Sequence, residues 1–179
     1  RLQDLPALAQ LGDDSDVVVR VAARRRLAQL SGGAPEPTRA LVEVLAASGD
    51  RRGAEAELRA LLARLTAPED RSEAVDAEQR LARLLWEEAP RREGAVAVLL
   101  SAAARAAPLP GARRDRLLLE AARWQEALGR TDGAEAGARA ALGRHPGELE
   151  YVEALAALRW RRGDRAGALG VYRAELAAL

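Results

Sequence analysis

Apolar positions along the chain recur at i, i+3, i+4 and i+7, in windows separated by short breaks rich in Gly, Asp and Pro. That spacing predicts amphipathic helices. In "LVEVLAASGDRRGAEAELRALLARL", Leu41, Val44 and Leu45 form one stripe, and Leu58, Leu61, Leu62 and Leu65 the facing one. Gly49 and Asp50 stand between them, so the stretch reads as helix, tight turn, helix. The plan returns in "WQEALGRTDGAEAGARAALGRHP", where Gly129 is followed 34 residues later by Gly163, and Ala134 by Ala168. Each of the three turns has an Ala five residues past its Gly. Glycine suits the left-handed conformation that ends the first helix, and a small Ala lets the second helix cross close to it. Pro68, Pro108 and Pro146 close the second helices, because proline withdraws a backbone donor and turns the chain.

A less regular unit, "AEQRLARLLWEEAPRREGAVAVLLSAAARAAPLP", lies between the first and second copies, with Ala89 and Pro90 in place of the Gly turn. Ala95 takes the place of Ala54 and Ala134 at separations of 41 and 39 residues, so this unit has longer helices or loops. "SGGAPEP" at 31–37 is the expected joint to an N-terminal segment. The organisation expected is a helical hairpin over 1–33, then repeats over 34–179, divided at about 35–68, 69–109, 110–147 and 148–179.

Composition narrows the class. Ala and Leu supply most apolar positions, Ile is absent and only five residues are aromatic, which favours close-packed helices over sheets. The fold class expected is all-α, a right-handed α-solenoid of stacked antiparallel helix pairs. All 28 basic residues are Arg, and Lys, Asn, Ile, Phe, Met and Cys are missing, the mark of a GC-rich, bacterial genome. Without Cys there is neither a disulfide nor a thiolate metal site from which to read a redox compartment, so a cytoplasmic location is only slightly favoured over a periplasmic one. A net charge of +1 supplies no field for nucleic acid or an anionic membrane, and no apolar run reaches the roughly 18–20 residues of a membrane helix. The start at Arg1, without Met or a signal-peptide pattern, suggests an excised or processed segment.

On these residues the chain resembles the tetratricopeptide repeat (TPR) family, whose 34-residue units are helix-turn-helix pairs, over roughly 35–179. The family's small eighth place matches Ala122 and Ala156, its small twentieth Ala54, Ala134 and Ala168, its twenty-seventh Ala141, and its closing proline Pro146. Departures stand at Thr38, Leu118 and Val152 for the fourth-place aromatic, and at Leu45, Gln125 and Arg159 for the eleventh-place Tyr. Glu175 also sits where a small residue belongs. The first hairpin resembles instead a HEAT repeat, through Asp14 or Asp16, Val19-Arg20, Ala22-Ala23 and Leu27.

Catalytic chemistry finds little support. The single imidazole, His145, has only Glu148 and Glu150 near it in sequence and reads as an exposed loop residue. Asp13, Asp14 and Asp16 read as a helix start, where carboxylates satisfy free backbone donors. Arg24, Arg25 and Arg26 fan over about 200° of a helix and make no single stripe for a phosphate backbone. Neither a cofactor nor a metal is expected, nor enzyme activity.

The TPR resemblance implies a concave groove lined by the first helix of each pair. Carried over, its ligand-facing places are Glu36, Arg39, Glu43, Ala46 and Ala47; Arg116, Leu119, Arg123, Glu126 and Ala127; and Glu150, Glu153, Ala157, Trp160 and Arg161. Trp160 with Arg161 is the pair most typical of a binding hot spot, the other reading of Trp160 being contact with a further helix; Trp86 and Trp124 read as core. The family's carboxylate clamp needs two Asn side chains, and this chain has none. The expected function is therefore a non-catalytic scaffold that binds a protein or peptide in its groove. The alternative is a spacer or self-association segment, because Ala168, Val171, Tyr172 and Leu176 leave an apolar face on the last helix for another copy or for further repeats of a parent chain to cover.

Overall fold

Helix and turn signals translate into ten α-helices joined by short turns in a computed structural model that describes residues 5–178. Residues 1–4 of the expected N-terminal hairpin, and Leu179, lie outside the described residues. The helices are α1 (Leu5–Leu11), α2 (Val17–Leu30), α3 (Pro35–Ala47), α4 (Arg51–Arg64), α5 (Arg71–Trp86), α6 (Arg92–Arg105), α7 (Arg113–Ala127), α8 (Thr131–Arg144), α9 (Leu149–Arg161) and α10 (Arg165–Ala178). Two single 3₁₀ turns, Pro68–Asp70 and Ala89–Arg91, flank α5. No strand occurs among the described residues.

The turns show why the pattern is punctuated as it is. Gly49, Gly129 and Gly163 have φ of +85°, +76° and +84°, the left-handed region that a Cβ disfavours. At each, the backbone closes the helix with the same two bonds: Asp50 N donates to Leu45 O at 2.9 Å and Gly49 N to Ala46 O at 3.1 Å, and the other two turns repeat this, with Arg130 on Gln125 and Asp164 on Arg159. This double closure satisfies carbonyls that the helix end would otherwise leave free. The chain then reuses the residue after the Gly. The carboxylates of Asp50 and Asp164 accept from the N–H of Gly53 and Gly167, capping α4 and α10 as they begin.

The chain divides into two compact units, one through Arg91 and one from Arg92 on. In the first, each of α1 to α5 packs on its neighbour in sequence, and Leu41, Leu45, Leu58, Leu61 and Leu65 are buried. Val44 and Leu62 from the same stripes are only half-buried, while Val42 is inside. In the second, α6 to α10 pack in the same succession, and one apolar cluster runs from Leu119 through Ala134, Ala138, Tyr151 and Leu155 to Val171. The small crossing residues Ala54, Ala95 and Ala134 are fully buried and Ala168 nearly so, which is what close helix crossing demands of them.

Trp86 and Trp124, expected in the core, are half-buried, because each sits at the shoulder of its helix beside residues such as Arg83 and Arg123 that face water. Asp16 caps α2 through Val18 N at 2.8 Å, and Asp13 pairs with Arg24. That use of the acidic turn is structural.

Candidate functional site

Two clefts of the same construction lie between alternate helices, one in each unit. In the first unit a cavity of about 510 Å³ separates α3 from α5; Val42, Ala46 and Leu58 form part of its floor, and Glu43, Asp76, Arg80, Arg83 and Glu87 its charged walls. In the second, a cavity of about 260 Å³ separates α7 from α9, floored by Leu119, Ala122, Ala154 and Leu158 and walled by Arg123, Glu126, Glu150, Glu153 and Arg161. The first is lined by α3 and α5 with Leu58 of α4, the second by α7 and α9. Each therefore carries an apolar floor of small and aliphatic side chains under alternating charge.

Ion pairs bridge both clefts. Arg39 on α3 holds Glu73 at 2.9 Å, and Arg80 on α5 reaches back to Glu43 at 2.7 Å. In the second unit Arg161 forks onto Glu126, with Nε at 2.5 Å and Nη2 at 2.7 Å, and Arg123 stands 3.9 Å from Glu150. The hydrogen bond to Glu126 pushes the Arg161 guanidinium above its ordinary value despite the opposing effect of burial, so this cation stays charged. Most of these groups are well exposed, and pairs of that kind add little stability. What they supply is two alternating-sign walls that can exchange an internal partner for an external one.

The structure brings Arg123, Glu126, Glu150, Glu153 and Arg161 into a single cleft and gathers Glu43 with residues of α5 in the other. Arg39 is tied to Glu73. Arg116 is exposed but lines neither cleft. Trp160, 52% exposed, faces an adjoining cavity of about 280 Å³ that shares Ala157 and Arg161 with the α7–α9 cleft and adds Ala168, Leu169 and Tyr172, and the Arg165 guanidinium lies 5.3 Å from its ring centroid. Leu169 was not among the expected residues, and Ala168 and Val171, two of the four expected on the uncovered face of the last helix, are buried. The α5 wall was missed as well, since the irregular unit gave no Gly turn from which to count its groove places.

His145 is not a free loop residue. Its Nε2 lies 2.7 Å from Asp115, which is 4% exposed and also receives the guanidinium of Arg144 through Nε at 2.8 Å, while the imidazole stacks on Tyr151 at 5.5 Å. Burial pushes the Asp115 carboxyl up, but hydrogen bonds from Arg144 and His145 overcome it and leave the net value below the usual one. The cluster clamps the end of α8 to the start of α7. Among the described residues no group of three or more His, Cys, Asp or Glu side chains converges as a metal site would require.

Solved structures share this architecture. The chain is similar to MamA residues 41 to the end from Desulfovibrio magneticus RS-1, 18% identical with a TM-score of 0.62, covering 96% of this chain and 90% of that one. It is also similar to a kinesin light chain-like protein with nearly identical TPR-like repeats from Podosopora anserina, 18% identical with a TM-score of 0.68, covering 99% and 95%. No family model and no curated protein matches the chain. The likeness shows the fold: all-α, a TPR-like helical repeat.

Proposed function

We propose that the chain is a scaffold that binds a protein or peptide in the clefts between its first helices. The observation that carries this reading is the repetition of one construction, apolar floor and alternating charged walls, between α3 and α5 and again between α7 and α9. A core needs no such surface. An extended segment laid across Leu119, Ala122, Ala154 and Leu158 would gain apolar contact, and its own charges would compete for Arg123, Glu150 and Arg161. The ligand class that fits is a peptide of mixed charge with small or aliphatic side chains between the charges. TPR-like repeats in the similar solved structures support the assignment at the level of fold.

The reading is tested by selecting peptides from a displayed random library on the wild-type chain and measuring their binding to Arg161→Glu and to a surface control, Arg25→Glu. Binding should fall at least tenfold in the cleft variant, weaken as salt is raised, and persist in the control. Selected peptides indifferent to Arg161, Arg123 and Glu43 alike would exclude the clefts as the site. A second reading, self-association, has its own observation, the apolar surface at the end of α10.

A further inference from the structure

Of the eleven large apolar side chains exposed among the described residues, four lie at the start of the chain and four at its end: Leu5, Leu11, Val17 and Val18, then Trp160, Leu169, Tyr172 and Leu176. Singly exposed hydrophobics are ordinary, but clusters at two ends of one chain mark contact surfaces.

The repeat shows what the C-terminal cluster is shaped for. With a 34-residue offset, α9 and α10 stand where α7 and α8 stand one repeat earlier, and the α7–α8 platform is covered by α9. Leu142 and Leu176 share one register; the first is 9% exposed and the second 70%. The α9–α10 platform is therefore built like a covered surface.

Its chemistry differs from that of the earlier platform at three places. Where α9 docks, Arg123 meets Glu150, Glu126 meets Arg161, and Glu135 meets Arg159 at 3.0 Å and Arg162 at 2.9 Å. The residues in register on the α9–α10 platform are Ala157, Trp160 and Leu169, all without charge. On a helix like α9 the counterparts of Glu150, Arg159 and Arg161 would find no opposite charge there. The occupant must instead bring apolar side chains to the centre. Arg165 over the Trp160 ring, and Arg173 one helical turn past Leu169, give the rim a positive charge that acidic neighbours would complement.

One segment of the molecule meets both conditions. The α1–α2 end exposes Leu5, Leu11, Val17 and Val18, with Val18 76% exposed, around a turn that carries Asp13, Asp14 and Asp16. Asp13 is engaged by Arg24, while Asp14 and Asp16 spend one oxygen each on backbone N–H groups of that turn. We propose that the α9–α10 platform of one molecule seats the α1–α2 end of a second copy, head to tail. The two patches differ, so a single contact leaves one free patch on each molecule, and copies join head to tail into a closed ring or an open filament. The platform adjoins the α7–α9 cleft, sharing Ala157 and Arg161 with it, but Val18 and Leu169 line neither cleft, so a failure read at those two positions leaves peptide binding in the clefts untouched.

Equilibrium sedimentation of the wild-type chain, Val18→Glu and Leu169→Glu tests the proposal. Both substitutions replace exposed side chains, and matching circular dichroism and melting temperature confirm that the fold is kept. The wild-type mass should rise with concentration above that of a monomer, while each variant alone stays monomeric. An equimolar mixture of the two should form a dimer and stop, because the intact platform of one meets the intact α1–α2 end of the other. A wild-type chain that stays monomeric from micromolar to millimolar concentration overturns the proposal. So does an equimolar mixture of the variants that stays monomeric, or a wild-type association that is lost in Leu169→Glu and unchanged in Val18→Glu.

Discussion

In the second unit Asp115 is a buried carboxylate whose partners, Arg144 and His145, lie 29 and 30 residues away in the chain. Removing its charge should cost about 2 kcal/mol, the scale of a buried hydrogen bond to an ionised group. Urea unfolding of Asp115→Asn at pH 7 should show that loss as a lower midpoint. The pH dependence has a definite sign. A carboxyl whose folded value lies below its unfolded value stabilises the fold above the unfolded value, and the stabilisation disappears as pH falls through the folded one. The gap between wild type and Asp115→Asn should therefore be full at pH 7 and shrink below about pH 4, where the carboxyl of the unfolded chain begins to take up its proton while the folded one stays ionised. A gap that stayed constant with pH would assign the loss to packing instead. None of this was legible in the sequence. His145 has few polar neighbours along the chain, and only the return of α8 against α7 brings Asp115 beside it.

At the scale of the element, the helix-turn-helix pattern was legible because each of its signals has a local physical cause. Gly49, Gly129 and Gly163 sit in the left-handed region, and around each of them a Cβ would meet no atom within 4 Å, so the demand is conformational rather than steric. Gly129→Ala should accordingly lower stability by about 1 kcal/mol, the cost of a left-handed L-residue. Gly170, inside α10 with open space around it and an ordinary backbone, makes the contrast: Gly170→Ala should raise stability by about 0.5 kcal/mol. Thermal melts of the two variants should shift in opposite directions, and a shared direction would refute the conformational account. Less legible were the glycines that follow the capping aspartates. Gly53 and Gly167 leave room for the Asp50 and Asp164 carboxylates to fold over the helix start, a need set by the cap rather than by any period in the sequence. The walls of the clefts were half legible: α7 and α9 could be counted from their Gly turns, whereas α5 follows no such turn and its Arg80 and Glu73 appear only once α3 and α5 are side by side.

The whole chain was legible as a class because a repeat of small crossing residues and turn glycines suits few architectures other than stacked helix pairs; the clustering of apolar residues at its two ends needed coordinates, since exposure depends on what covers a residue and not on its identity. Packing between sequence neighbours also predicts how the molecule loses structure. Each helix in the second unit rests on the next, and stability in such arrays is close to a sum of repeat and nearest-neighbour contributions. Leu155 is 3% exposed and belongs to the cluster that joins α7, α8, α9 and α10. Leu155→Ala removes buried methyl and methylene groups from that cluster and should cost about 3 kcal/mol. Amide hydrogen exchange reports where the cost appears. Protection should fall through α8, α9 and α10, where the cavity opens, while α3 and α4 in the first unit keep wild-type rates, because no contact of Leu155 supports them. An equal loss of protection in α3 and α4 would mean that the chain opens as one cooperative body. A loss confined to the second unit would mean that the α7–α9 cleft can loosen while the α3–α5 cleft stays formed, so a ligand of the first could bind with the second open.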